Sequence, residues 1–243
     1  MTHHLILISR FINLVHHSEK TMYTIYKTRP IPKKYSFLYE TEFYPLYFNK
    51  LGEYIFLTFT INKKLYISIR GDRPDMEILK SSLFSKEVMR LDGHNSCNVH
   101  ERALRYFELS YRDMKSQIDS FLNLYPCGTI EFCGYSSGGS VAILATVKFQ
   151  YLYPCNIFHC TTFGSFKPGG HTLRYQINSL PGRIQNFVLR GDKISSLPPN
   201  DQGYVMPKIV IISRSRCFEI MNRERKYSLK DYLASMTNCR FVV

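Results

Sequence analysis

A chain of 243 residues with 44% hydrophobic side chains, including 18 Tyr and 17 Phe but no Trp, can bury one full core. Its 32 Lys and Arg against 19 Asp and Glu leave a formal net charge of +13, a field that favours anionic partners such as acidic lipid headgroups, an acidic protein or nucleic acid. The seven cysteines are odd in number, with no CxxC and no His pair to complete a zinc pattern, which speaks against a disulfide framework or a zinc module. No apolar window approaches the roughly 18 residues of a membrane span.

The chain opens on an apolar stretch, broken by Arg10 and Asn13 and lacking a small-residue cleavage site. It reads as a short helix near 5–15 rather than a signal peptide. No glycosylation sequon occurs, so a cytoplasmic or membrane-peripheral protein is expected. There are no internal repeats and no low-complexity tract. Residues 1–60 read as a lead-in segment packed on a core of 61–243, with a Pro-containing turn at 29–32 and an alternating aromatic strand at 53–59. Residues 65–69 form a continuous apolar run suited to a strand buried on both faces. Residues 73–98 read as loop with a short helix. Between 99 and 124, apolar positions recur at helical spacing, at 103, 104, 107, 114, 118, 121 and 122. A short strand at 129–133 leads into Gly134-Tyr135-Ser136-Ser137-Gly138-Gly139 and a helix start. Further strands are predicted at 157–163, 184–189 and 208–212, and a closing helix at 229–236. Strands alternating with helices predict an α/β fold with a mainly parallel central sheet flanked by helices.

The informative piece is strand–Gly134-x-Ser136-x-Gly138–helix. A nucleophile elbow needs a sharp turn in which bulky side chains two positions either side of the serine would clash. The helix that follows points its N-terminus at the serine, where partial positive charge and N–H groups favour an oxyanion. The Ser137 N–H is one oxyanion-hole candidate. A Gly/Ser-rich turn without chemistry has the same composition, and the strand–turn–helix context favours the elbow.

With these segments in order, the sequence resembles the class 3 lipases, α/β-hydrolases that cleave acylglycerols. Tyr66-Ile67-Ser68-Ile69-Arg70-Gly71 is similar to the family's strand ending in Arg-Gly-Thr, and Val99-His100 to its Val-His pair before a long helix. The elbow stands for Gly-His-Ser-Leu-Gly-Gly, and Thr162-Phe163-Gly164-Ser165 for Thr-Phe-Gly-Ser-Pro. Asp192 with Leu197-Pro198-Pro199 matches the acid segment, and Gly203-Tyr204-Val205 the stretch beyond it. The resemblance implies Ser136 as nucleophile, Asp192 as the acid that orients a histidine, and an apolar pocket under a lid at 73–98. It implies a lipid or acyl-ester substrate, no cofactor and no metal.

The sequence departs from the family where the chemistry needs it most. The histidine that opens the last helix is replaced: the stretch reads Tyr227-Ser228-Leu229-Lys230-Asp231-Tyr232, and no histidine follows Asp192. A tyrosine of pKa about 10 is a poor base near neutrality. Asp72 stands where the family places a Thr or Ser that helps hold the oxyanion, and a carboxylate there opposes developing negative charge. Arg102-Ala103 replace the Gly-Phe of the family, and Met206 stands where a histidine is common. Among the remaining histidines, His171 lies on the catalytic edge and is the candidate substitute. His94 reads as a loop residue, His100 as a packing residue and His159 as core, while His3, His4, His16 and His17 are expected to be solvated. Two functions remain open: a serine ester hydrolase of impaired activity, or an inactive lipase-derived protein that binds lipid, an anionic membrane surface or a protein. Nucleic acid is not an expected partner, since no recognition signature accompanies the charge.

Overall fold

The computed structural model describes residues 4–5, 7–8, 12, 42–48, 54–71, 85–206, 209–212, 228–238 and 241–242. Apolar, β-branched runs form the centre of the fold. Strands β1 (Glu42–Phe48), β2 (Tyr54–Ile61) and β3 (Lys64–Ile69) form an antiparallel meander, with Asn62 and Lys63 turning the β2–β3 hairpin at positive φ. From β3 the sheet becomes parallel. β6 (Thr129–Tyr135), β7 (Phe158–Phe163), β8 (Ile184–Leu189) and β9 (Ile209–Ile212) pair side by side. β10 (Phe241–Val242) closes the edge antiparallel to β9, giving eight strands in one sheet among the described residues.

The helices flanking the sheet among the described residues are α1 (Glu101–Leu124), α2 (Ser137–Leu152), α3 (His171–Ser179) and α4 (Leu229–Asn238). α1 buries one stripe (Ala103, Leu104, Phe107, Met114, Ile118, Phe121), as its period predicts. α2 is buried almost all round, because it lies between the sheet and α1. There Phe149 stacks on Phe132 at 5.7 Å and on Tyr111 at 5.5 Å, so mid-sized aromatics fill the space a Trp would take.

The predicted strands and the closing helix lie within a few residues of their expected places. Three features differ. Residues 85–100, expected as loop and short helix, form a hairpin of β4 (Lys86–Arg90) and β5 (Ser96–His100), and α1 starts at Glu101 rather than at Val99. α3 and β10 lay outside the sequence reading, being short and weakly patterned. His4, expected in solvent, is only partly exposed: Leu5, Ile8 and Ile12 near it are buried, and His4 Nε2 lies 3.1 Å from Glu131 Oε2.

Glu131 is 1% exposed, yet it is surrounded by partners. Lys64 Nζ donates at 2.5 Å and Thr161 Oγ1 at 2.6 Å. Burial alone would raise its pKa. The His4 hydrogen bond and the charge of Lys64 outweigh that and hold it at about 2. The cluster sits low on β6, five residues before Ser136 along the strand direction, and takes no part in the site above.

Candidate active site

Strand β6 delivers Ser136 to its carboxyl end, and α2 begins at the next residue. Ser136 has φ 54° and ψ −125°, a backbone conformation that a side-chain-bearing residue adopts only under constraint. The constraint is visible. The Ser136 N–H donates to Phe163 O at 3.0 Å, and its carbonyl accepts from Gly139 N at 3.1 Å. The flanking glycines are required for space. A Cβ on Gly134 would come within 2.4 Å of Gly138 O, and one on Gly138 within 2.5 Å of Ile69 O. This is the strained strand–turn–helix geometry that a nucleophile elbow requires.

The same sheet end gathers the neighbouring parts. Gly71, at the end of β3, packs against the elbow, with an added Cβ falling 2.5 Å from Tyr135 O and 3.2 Å from Ser137 Oγ. Asp72, the next residue, lies outside the described residues, as does Tyr227. Asp192 follows β8 and is buried, its N–H donating to Leu189 O at 3.0 Å. Asp192 Oδ1 accepts from the Ile194 N–H at 3.0 Å, and Oδ2 accepts from the Tyr232 hydroxyl. Burial raises the Asp192 pKa, and the Tyr232 and Ile194 donors counter it only in part. Ser136 and Asp192 therefore stand at the carboxyl ends of β6 and β8, with only β7 between them.

No imidazole among the described residues hydrogen-bonds Asp192. His171 opens α3 and is exposed. His100 is buried against Phe166, at 4.9 Å between ring centres, and Tyr204. His94 is exposed in the hairpin turn, its N–H donating to Asp92. His159 is half-buried, with Nδ1 accepting from the Arg183 N–H at 2.9 Å, and burial lowers its pKa.

Three residues of this region escaped the sequence reading. Tyr232, fully buried on α4, holds Asp192 and also accepts from the Leu189 N–H at 3.2 Å. Its signal was its place at the end of the Tyr227–Tyr232 stretch, one helical turn beyond Ser228. Asn186, buried in β8, accepts from Thr162 Oγ1 at 2.9 Å and donates to Ser165 O at 3.2 Å, which fixes the turn after β7. Lys167, buried, donates to Ser196 O, Pro198 O and Asn200 Oδ1 at 2.6–2.7 Å, tying that turn to the loop beyond Asp192. Neither Asn186 nor Lys167 belongs to a motif.

The expected lid is altered. Residues 72–84 lie outside the described residues, but 85–100 are fastened to the body. Lys148 Nζ bonds Arg90 O and Leu91 O at 2.9 Å, His100 N bonds Pro168 O at 2.8 Å, and Gly170 N bonds Asn98 O at 2.9 Å. In this structure residues 85–98 are thus a hairpin hydrogen-bonded to the body of the fold.

The model of the family Lipase (class 3) matches residues 66–202, more than half of the chain. The chain belongs to the class 3 lipase family. Solved fungal lipases share its fold. Lipase II from Rhizopus niveus aligns with TM-score 0.69 at 18% identity, covering 87% of this chain and 82% of its own. The lipase from Rhizopus microsporus var. chinensis aligns with TM-score 0.66 at 18% identity, over 85% and 72%. The Rhizomucor miehei lipase propeptide complex gives 0.68 at 13% identity, over 88% and 69%. A search of curated proteins returned no match. This class 3 lipase chain therefore has the α/β-hydrolase fold, with its mainly parallel sheet and flanking helices. No helix among its described residues is long and apolar enough to cross a membrane.

Proposed function

We propose that this class 3 lipase chain is a serine hydrolase of lipid acyl esters that works at a strongly reduced rate because no histidine among the described residues serves Ser136. The observation that carries this reading is the strained backbone of Ser136. A non-glycine residue at φ 54°, closed in by Gly134 and Gly138, costs stability that a plain turn would not need to spend. In the proposed reaction, Ser136 Oγ attacks the acyl carbonyl, and the developing oxyanion lies at the N-terminus of α2 beside the Ser137 N–H. Asp192 is the acid of the site. Its carboxylate is held by Tyr232 and Ile194 instead of an imidazole, so the Ser136 proton leaves without the usual relay. Loss of one triad member costs on the order of 10⁴–10⁶ in rate in serine hydrolases. Labelling by a fluorophosphonate probe and turnover of a short-chain aryl ester test the proposal. Ser136 is expected to be labelled slowly, with turnover above that of Ser136→Ala. No labelling, together with turnover equal to that variant, would reject it.

A second reading has its own motivation. Asp192 without an imidazole, together with the +13 charge, suits a lipase-derived protein that binds an anionic lipid surface and turns nothing over. In that case Ser136 is inert to the probe while the protein still binds anionic vesicles.

A further inference from the structure

The string Leu-Tyr-Pro-Cys occurs twice, at Leu124-Tyr125-Pro126-Cys127 and at Leu152-Tyr153-Pro154-Cys155. Only four residues recur, too few for a repeat architecture, yet the two copies occupy equivalent places in the fold. Each ends a helix and leads into a parallel strand, α1 into β6 and α2 into β7. In each the Tyr N–H closes the helix onto a Phe carbonyl at 2.8 Å, Phe121 in one and Phe149 in the other. In each the Tyr carbonyl then accepts from the residue three further on, Gly128 at 2.8 Å or Asn156 at 3.1 Å. Cys127 and Cys155 are thus the same corner of the same turn, and both are exposed, whereas Cys97, Cys133 and Cys160 are buried.

The strand register brings the two corners together. Ile130 of β6 pairs with Phe158 of β7, and Cys127 stands three residues before the first as Cys155 stands three before the second. Adjacent strands run about 4.8 Å apart, so the two turns at their amino ends leave from neighbouring positions. The turns are also joined directly: Asn156 Nδ2 donates to Pro126 O at 2.8 Å, linking the residue after Cys155 to the residue before Cys127. Gln150 braces the second turn through the Asn156 carbonyl at 2.7 Å and the Phe158 N–H at 3.1 Å.

We propose that Cys127 and Cys155 form a thiol–disulfide exchange site, a dithiol that closes to an intramolecular disulfide on meeting a low-molecular-weight disulfide such as oxidised glutathione. One thiolate attacks the glutathione disulfide, forming a protein–glutathione mixed disulfide and releasing one glutathione thiolate. The second protein thiolate attacks the sulfur of the first, the Cys127–Cys155 bond forms, and the second glutathione leaves. Two protein thiols are oxidised, one small disulfide is reduced to two thiols, and the protons pass to the released glutathione or solvent. The closed form ties the amino ends of β6 and β7 at the end of the sheet opposite Ser136. The proposal is independent of catalysis.

The test is incubation of the fully reduced protein with oxidised glutathione, acid quench and peptide mapping by mass spectrometry, on the wild type and on Cys127→Ser and Cys155→Ser. Both positions are exposed, so the variants leave the core untouched. The wild type is expected to lose two hydrogens, join the segments carrying Cys127 and Cys155 and retain no glutathione on either. Each single variant is expected to retain one glutathione on the cysteine left behind. A wild type carrying glutathione on both residues would show that the thiols cannot meet and would overturn the proposal. So would pairing of either residue with Cys217 or Cys239, or two unreacted thiols.

Discussion

Ser136 carries backbone strain that a hydrolase site exploits and a plain fold has no reason to keep. Positive-φ strain of this kind costs on the order of 1–3 kcal/mol, and glycine, which loses more chain entropy on folding, offsets about 0.5–1 kcal/mol of any relief. Ser136→Gly is therefore expected to stabilise the protein by about 1 kcal/mol, a rise of about 2–4 °C in thermal midpoint for a chain of this size, while abolishing probe labelling. Calorimetry on the two proteins checks it. At Tyr227, where the resemblance to the family implies a histidine, ester turnover of Tyr227→His is expected to rise by on the order of 10²-fold, with a new dependence on a group titrating near neutrality. A pH–rate profile of the variant measures both. Asp192 depends on Tyr232 for one oxygen. Tyr232→Phe leaves that oxygen buried without its donor, at an expected cost of about 1–3 kcal/mol. The sign with pH is fixed: burial already raises the Asp192 pKa, so its contribution favours the fold when protonated and is lost as pH rises through the folded value. The variant raises that pKa further. Its denaturant midpoint is expected to fall more steeply than the wild type's as pH rises above the usual carboxylate range.

At the level of elements, β6 serves two purposes at its two ends. Its carboxyl end carries Ser136, and lower down it carries Glu131 in a buried ion cluster with Lys64 of β3, His4 of the N-terminal helical stretch and Thr161 of β7. Glu131 has a folded pKa lowered from 4.5 to about 2, so its contribution to stability is fully present above about 4.5 and is lost as pH falls towards 2. Acid unfolding followed by circular dichroism is expected to show this loss in the wild type, and Glu131→Gln should flatten it over that window. Removing Lys64 alone leaves the buried carboxylate with only His4 and Thr161. Lys64→Met is expected to cost about 3 kcal/mol, the lower end for a broken buried pair because Lys64 keeps some exposure. The hairpin β4–β5 gives a different lesson. Its residues 85–100 are charged and lack strong β-branched runs, so local propensity favours loop. Met89, Cys97 and Val99 become a buried face only because α1 and α3 lie beneath them.

For the whole molecule, the excess of 32 basic over 19 acidic residues acts at a distance and not at a contact. Basic residues near an anionic bilayer contribute about 1 kcal/mol each and are screened within a Debye length. Co-sedimentation with phosphatidylserine vesicles is expected to be strong at low salt, to weaken steeply as salt rises, and to be absent with neutral vesicles. Binding indifferent to both would remove the membrane reading. Much of the architecture was legible in the chain itself. Apolar runs of strand length, the helical period of 101–124 and the glycines around Ser136 are local properties, and local sterics and burial dictate what they form. That no histidine follows Asp192 is equally plain in the chain itself, because the absence of a residue type needs no coordinates to detect. Only the tertiary structure decided which groups Asp192 and Glu131 would meet, that His4 would reach Glu131, and that residues 85–100 would form a hairpin bonded to the body. Those outcomes depend on partners dozens of residues apart, brought within hydrogen-bonding distance by strand register and helix packing, which no short window of sequence encodes.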